Sequence, residues 1–306
     1  MAAVIDWQLS EDPCRQATGP RVPDQAEIER IEEAVREPAG VVDARATFDT
    51  DTCPGQVTDA TLFVTLAPDA PADQILAAVP PVADSMRIPA FAAVEVTLDL
   101  VFAFDERTDL GSLHVSERLP DGELHAEMAA WINLVDSHPG TMVVLHNLNP
   151  GQLGRIVEVP VARNGDPTPV STAFADLRAL ELPDRDNTTW RVQAGGIPER
   201  PDLPTDSEFT AWGELPSDET VEQMVSAVSR PASVTQTGVV EARVEWHGPR
   251  APFLEAFITI DDTATPAPAV QEVATAYAAQ VKAASPRYSV LVMGTSGQTL
   301  ASEGTI

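Results

Sequence analysis

Four of the five histidines lie close together in the sequence and are the first residues to suggest chemistry. They are His114, His125, His138 and His146. Histidine clusters bind zinc in many proteins, but this spacing matches neither the HExxH motif nor a zinc finger. In the fold predicted below, His114 and His146 lie on strands that a third strand separates, so we do not expect the four side chains to converge. The histidines therefore predict ordinary surface side chains and no metal site.

A group of aspartates around a turn suggests weak calcium binding. The residues are Asp49, Asp51 and Asp59, and carboxylate oxygens are the ligands that calcium prefers. The sixth position counted from Asp49 is Pro54, however, where an EF-hand loop requires glycine. We treat the three aspartates as weak cation-binding candidates and expect no dedicated metal site and no cofactor.

The two cysteines, Cys14 and Cys53, are placed by the predicted fold at the same end of one sheet. We therefore expect a disulfide, which would contribute about 4 kcal/mol in the chain-entropy model. Disulfides persist outside the reducing cytoplasm, which favours an extracytoplasmic protein. The start of the sequence, Met1–Val4, has no signal-peptide pattern, so such a protein would have its targeting segment outside this sequence. The alternative is two free buried thiols in a cytosolic protein.

No catalytic motif stands out in the sequence. The Walker, Rossmann and zincin patterns are absent. Gly294–Gly297 follows an apolar strand but lacks the G-x-S-x-G spacing of a nucleophile loop, and we expect a short, flexible C-terminal tail there. The sequence predicts no catalytic residues and favours a non-enzymatic protein.

The elements that must position all of these residues recur with a period of about 97 residues. Self-similarity at a fixed period indicates repeated structural units. The recurring segments are Leu119-Pro120 with Glu123 and Met128 against Leu215-Pro216 with Glu219 and Met224, Thr168-Pro169 against Thr265-Pro266, and, two periods apart, Gly40–Arg45 against Gly238–Arg243.

Each repeat is predicted to contain a strand, a helix, two strands, a helix and a strand. In the third repeat, Ser217 is the expected N-cap of an amphipathic helix, and Val239–His247 and Leu254–Ile260 alternate as strands do. The helix carries an apolar stripe of Val221, Met224, Val225 and Val228.

The element order βαββαβ is that of the ferredoxin-like fold, an α+β fold in which two helices cover one face of a four-stranded antiparallel sheet. We therefore predict three tandem ferredoxin-like modules, at residues 1–105, 106–197 and 206–306, with a Pro-rich linker at 198–205. The sheet face that the helices leave uncovered should carry polar residues with two phenylalanines, and it could dock a partner protein or a neighbouring module. In the third module these residues are Glu241, Arg243, Glu245, Phe253, Glu255 and Phe257, and in the first they are Glu95, Thr97 and Asp99.

The charge of the chain argues against two kinds of partner. The formal net charge is −28, from 47 acidic and 19 basic residues, so the surface repels nucleic acid and anionic membranes. The longest apolar run, Ile88–Phe104, contains Glu95 and Asp99 and does not predict a membrane span. The single lysine, Lys282, together with abundant Ala, Pro and Val, is typical of a GC-rich, actinobacterial genome or of a halophile.

The sequence as a whole predicts a non-enzymatic, extracytoplasmic binding or scaffold protein, envelope-anchored or secreted and monomeric, whose partner is a protein or another component of the cell envelope. Two alternatives remain open. The first is a cytosolic enzyme or small-molecule-binding regulator with a site between modules. The second is a structural protein of a virion or another assembly.

Overall fold

The computed structural model describes residues 21–50, 57–91, 94–103, 111–137, 143–147, 155–160, 168–182, 185–194, 206–229, 231, 238–248, 253–263 and 267–305. The helices are α1 (Gln25–Arg36), α2 (Ala72–Ala77), α3 (Val79–Met86), α4 (Asp121–Ser137), α5 (Thr168–Ala179), α6 (Asp218–Val228) and α7 (Ala267–Ala284). The strands are β1 (Val41–Thr50), β2 (Val57–Leu66), β3 (Glu95–Phe102), β4 (Ser112–Ser116), β5 (Val144–Asn147), β6 (Arg155–Pro160), β7 (Thr188–Gln193), β8 (Asp206–Trp212), β9 (Val239–Trp246), β10 (Leu254–Ile260), β11 (Tyr288–Gly294) and β12 (Thr299–Thr305). Among these residues, no helix is both long and apolar enough to cross a bilayer.

The prediction of three ferredoxin-like modules is wrong. The described strands form one twelve-stranded mixed sheet in which the order of the strands follows the order of the chain. In a ferredoxin-like module, by contrast, each helix connects two strands that a third strand separates. Here the helical connections join immediate parallel neighbours, namely β2–β3, β6–β7, β8–β9 and β10–β11. The predicted linker at 198–205 lies outside the described residues.

The chain divides into two compact units. The first contains the described residues up to Ala103 together with Val115–Asp121, and the second contains the remaining described residues. In the first unit β1 pairs with β2 antiparallel, and β2 pairs with β3 parallel. Leu62, Val64 and Leu98 are fully buried on one side of these strands. Alternation of apolar and polar residues thus gives the unit a core on one face of its strands.

The second unit continues the same alternation of antiparallel and parallel pairs through β5–β12. Its last strand corrects a second expectation, because β12 pairs antiparallel with β11 where we predicted a flexible tail. The turn between the two strands is held by Asp262, whose carboxylate accepts hydrogen bonds from the Thr295 hydroxyl at 2.9 Å and the Ser296 amide at 3.1 Å. The segment around Gly294 is therefore an ordered turn between strands.

Two copies of one sequence motif adopt the same local structure. Gly40 and Gly238 have positive φ values, 91° and 51°, and they directly precede β1 and β9. In both strands the register then slips, so that Val42 and Val240 lack a cross-strand partner and are exposed, as in a β-bulge. The carbonyl of each glycine accepts a hydrogen bond from the residue that follows the partner strand, at 2.8 and 2.7 Å. The similarity of the two segments therefore extends from sequence to backbone conformation.

The helices α5, α6 and α7 lie on one face of the sheet of the second unit. α6 packs against β9 and β10, α7 packs against β10, β11 and β12, and adjacent helices contact each other. α6 begins after its predicted N-cap, Ser217, whose hydroxyl accepts a hydrogen bond from the Thr220 amide at 3.3 Å. Val221, Met224 and Val228 of the predicted stripe are buried. Within the described residues, α5, α6 and α7 therefore all lie on the side of the sheet opposite to Arg243, Glu245 and Glu255.

Candidate binding face

The residues that the sequence assigned to an uncovered face of the third module lie on one side of β9 and β10. Glu245 is directly opposite Glu255 in the antiparallel register, and Arg243 is directly opposite Phe257. The intervening residues of both strands, such as Val244, are buried on the helix side. We call the open face the surface formed by Trp212, Glu241, Arg243, Glu245, His247, Phe253, Glu255 and Phe257.

Two members of the open face, Trp212 and His247, were not predicted from the sequence. Trp212 is the last residue of β8 and is 48% exposed, and its ring is parallel to that of His247 with the ring centroids 6.4 Å apart. Phe253 lies on another side of His247, 5.5 Å away between centroids. A signal was present in the sequence, because Trp212 follows Glu208 and Thr210 at the spacing of two that places strand residues on one face.

Ion pairs cross several strands on the same side of the sheet. Arg191 of β7 lies between Glu158 of β6 and Glu208 of β8, with nitrogen–oxygen distances of 3.3 and 3.4 Å. Arg243 lies over the ring of Phe257, 4.6 Å from its centroid, and its Nε is 3.1 Å from Glu245 Oε1. Opposite charges and cation–π contacts between neighbouring strands each stabilise a sheet by about 0.2–1 kcal/mol. These contacts hold the long side chains of the face in defined positions.

Two carboxylates and one imidazole converge at the end of the open face where β9 finishes and β10 starts. His247 Nε2 is 3.4 Å from Glu255 Oε2 and 3.8 Å from Glu245 Oε2. Trp212 donates a hydrogen bond from Nε1 to Glu245 Oε2 at 3.2 Å. Glu245, His247 and Glu255 therefore form a group of three side chains of metal-ligating type, and within the described residues their donor atoms all lie within 4.8 Å of one another.

The expectation that the histidines stay apart is wrong for one pair. His114 lies on β4 and His146 on β5, which are neighbours because the sheet follows chain order. Their rings stack with centroids 4.6 Å apart and planes inclined by 5°. Burial lowers the pKa of both imidazoles below the ordinary value, and for His146 the charge of His114 lowers it further. His125 is an exposed residue of α4, and His138 lies outside the described residues.

A buried ion pair on the helix side was not predicted. Glu127 of α4 is fully buried, and its carboxylate accepts hydrogen bonds from Arg155 Nε at 2.7 and 2.9 Å and from Asn147 Nδ2 at 3.0 Å. Arg155 also donates from Nη1 to Thr188 Oγ1 at 3.0 Å. Burial raises the pKa of Glu127, while the Arg155 guanidinium and the Asn147 amide act in the opposite direction. The cluster ties α4 to β5, β6 and β7, which is a structural role.

In the first unit, Glu95, Thr97 and Asp99 lie on one side of β3, alternating with buried residues, as the alternation predicted. Asp99 is opposite Phe63 of β2 in the parallel register. Burial raises the pKa of the Asp99 carboxyl to about 6. This face therefore holds a carboxyl group that takes up a proton at a higher pH than an ordinary aspartate does.

The remaining candidates give little chemistry. Asp49 and Asp59 are exposed and directly opposite each other across β1 and β2, and Asp51 lies outside the described residues. The predicted disulfide partners, Cys14 and Cys53, also lie outside the described residues.

A groove of about 590 Å³ lies between α4 and α5 and carries alanines and carboxylates, with no histidine or cysteine among its described lining residues. The open face therefore combines the most functional groups. Comparisons with protein families, with curated proteins and with solved structures find no match to this chain.

Proposed function

We propose that the chain is a non-enzymatic, monomeric binding protein, and that its open face binds a protein surface that presents arginine or lysine side chains. The observation that carries this proposal is Trp212, a large aromatic side chain that is 48% exposed beside the carboxylate of Glu245.

The aromatic residues support a role in recognition. Tryptophan and arginine are enriched among the residues that dominate binding energy at protein interfaces. Trp212 is held by its hydrogen bond to Glu245 and by its stacking on His247, so it loses little conformational entropy on binding. The open face thus offers a pre-positioned aromatic anchor at its edge.

The charge of the face selects the chemistry of the partner. Within the described residues, Glu241 has no basic partner, and Glu255 pairs only with His247. The chain as a whole carries a net charge of −28, which attracts a cationic partner at long range. An arginine of the partner could pair with Glu255 and stack on Trp212, just as Arg243 pairs with Glu245 and lies over Phe257.

Fluorescence anisotropy with labelled peptides tests the proposal. In EDTA-containing buffer at physiological ionic strength, we expect the full chain to bind an alternating Arg-Gly peptide and to ignore Glu-Gly and Gln-Gly peptides of equal length. Trp212→Ala and Glu255→Gln should each raise the Kd by about tenfold or more. Glu272→Gln removes the same charge from the exposed surface of α7 and should change the Kd by less than about twofold.

Two outcomes contradict the proposal. Absence of binding to the Arg-Gly peptide rejects the stated partner chemistry. Equal weakening by Glu255→Gln and Glu272→Gln shows that the peptide responds to net charge and that the open face has no special role.

The location that we propose for this binding protein is outside the cytoplasm, and it depends on Cys14 and Cys53 forming a disulfide. Thiol titration of the unfolded, unreduced chain should find no free thiol, and titration after reduction should find two. Two free thiols before reduction would remove the support for this location without affecting the proposed binding face.

A further inference from the structure

Glu245, His247 and Glu255 lie close together at one end of the open face. Strand geometry brings the three together. Glu245 and Glu255 are directly opposite each other across β9 and β10, and His247 follows Glu245 at the spacing of two that keeps both side chains on one face. No loop has to close to complete the group.

The separations match those between ligands of one small cation. With zinc–ligand bonds of about 2.0–2.1 Å, two ligands of a tetrahedral ion are about 3.3 Å apart. His247 Nε2 lies 3.4 Å from one carboxylate oxygen and 3.8 Å from the other. Both nitrogen–oxygen distances are thus within about half an ångström of the tetrahedral value, and the two carboxylate oxygens lie within 4.8 Å of each other.

The surroundings hold the ligands and leave them available. Trp212 donates to Glu245 Oε2 at 3.2 Å, and this hydrogen bond orients the carboxylate in the way that outer hydrogen bonds orient metal ligands. Arg243 Nε forms an ion pair with the other oxygen, at 3.1 Å. His247 lies against Trp212 and Phe253, which restricts the plane of its ring. Among the described residues, its Nε2 has no hydrogen-bond partner even though the atom is buried.

Like charges directly opposite each other on adjacent strands destabilise a sheet. Glu245 and Glu255 are such a pair, and their side chains are only 14% and 29% exposed. A divalent cation between the carboxylates would offset this repulsion.

We propose that Glu245, His247 and Glu255 form a site for a divalent transition-metal ion of the zinc type, with the remaining coordination position open to solvent. The imidazole ligand favours zinc over calcium and magnesium, which take oxygen ligands almost exclusively. The site does not depend on the proposed partner. A partner side chain could nevertheless supply the last ligand, because the site lies on the open face.

Isothermal titration calorimetry of the metal-free full chain with ZnCl₂ tests the site. Excess Ca²⁺ in both solutions occupies weak sites on the acidic surface. We expect one Zn²⁺ per chain with a Kd in the micromolar range or below. His247→Ala and Glu255→Gln should each raise the Kd by about 100-fold or more, since even outer partners of metal ligands are worth about 10–100-fold.

The matched controls are His125→Ala on α4 and Glu272→Gln on α7, which remove the same chemical groups from exposed positions outside the open face. Both should bind Zn²⁺ within about twofold of the parent chain. Circular dichroism of each metal-free variant verifies folding, and Glu245→Gln provides a third ligand variant if His247→Ala does not fold.

No Zn²⁺ binding above the Ca²⁺ background, several weak sites, or equal affinity in ligand and control variants each overturns the proposal. Peptide binding in EDTA-containing buffer separates the metal site from the proposed function, because that measurement is made without any metal ion. Loss of peptide binding in Trp212→Ala without any Zn²⁺ binding by the parent leaves only the metal site refuted. Zn²⁺ binding without peptide binding refutes only the partner.

Discussion

Replacing Glu127 by glutamine should cause one of the largest losses of stability that a single substitution can produce in the second unit. Glu127 is fully buried and the side chain of Arg155 is 5% exposed, so the substitution leaves a guanidinium without a counter-charge in the interior. The glutamine amide would also point hydrogens towards the donors of Arg155. Breaking a buried pair in this way lowers the free energy of unfolding by about 3–5 kcal/mol.

Urea unfolding followed by tryptophan fluorescence measures the loss, because four of the five tryptophans, at positions 131, 190, 212 and 246, belong to the second unit. Glu123→Gln, one turn away on α4 and only half-buried, is the matched control. We expect it to change the free energy of unfolding by less than about 1 kcal/mol.

Removing both charges should be less harmful than removing one. In the Glu127→Leu, Arg155→Met double variant, the main expected penalty is the buried amide of Asn147 left without its acceptor, about 1–3 kcal/mol. A decrease in the free energy of unfolding below about 1 kcal/mol for Glu127→Gln would refute this account of the ion pair. So would a double variant whose decrease equals the sum of the decreases for Glu127→Leu and Arg155→Met measured singly.

Three further predictions concern other groups. The pKa of Asp99 is about 6 in the folded chain, so the native state binds this proton more tightly than the unfolded chain does and loses stability as the pH rises from about 4 to 6. In thermal unfolding at pH 7.5, Asp99→Asn should therefore be about 1 kcal/mol more stable than the parent, after allowance for solvent screening. At pH 4 the variant should be no more stable than the parent. Gly294→Ala would place a methyl group 2.2 Å from an oxygen of Asp262 and should lower the free energy of unfolding by about 1–3 kcal/mol, with a smaller effect in an Asp262→Ala background. NMR titration should find that the imidazoles of His114 and His146 both titrate below the ordinary value of about 6.5, and a midpoint at or above that value would contradict their burial.

Local features of the fold could be predicted from the sequence because local residues determine them. The N-cap at Ser217 and the buried stripe of α6 follow from cap chemistry and helical spacing. The alternation in β9 and β10 likewise separates the residues of the open face from those beneath the helices. Residues two apart along a strand lie on the same face of the sheet, and this holds for any neighbouring strand.

The order of the strands could not be predicted in the same way, since alternation does not identify a strand's neighbour. The ferredoxin-like order keeps two helices on one face with right-handed crossovers. In the observed order, the crossovers through α6 and α7 have opposite hands, because the strands reverse direction between them while both helices stay on one face. The wrongly predicted strand order also placed a strand between His114 and His146. In the observed order their strands, β4 and β5, are neighbours.

The buried ion pair left a signal that sequence reasoning passed over. Glu127 falls within the apolar stripe of α4, three residues after Leu124 and next to Met128. Arg155 is in phase with the buried Val157 of its strand. A charged residue in phase with a core face in two successive elements indicates that the two charges meet.

In a sheet whose strands pair in chain order, each strand contacts the strand that comes just before it in the sequence, and this affects how the protein folds. Low contact order favours rapid folding, since little loop-closure entropy is lost before each pairing forms. In the second unit, every strand from β6 to β12 can pair as soon as it is synthesised, because its preceding neighbour is already present. During synthesis, each completed strand from β6 to β11 therefore presents the edge on which the next one pairs.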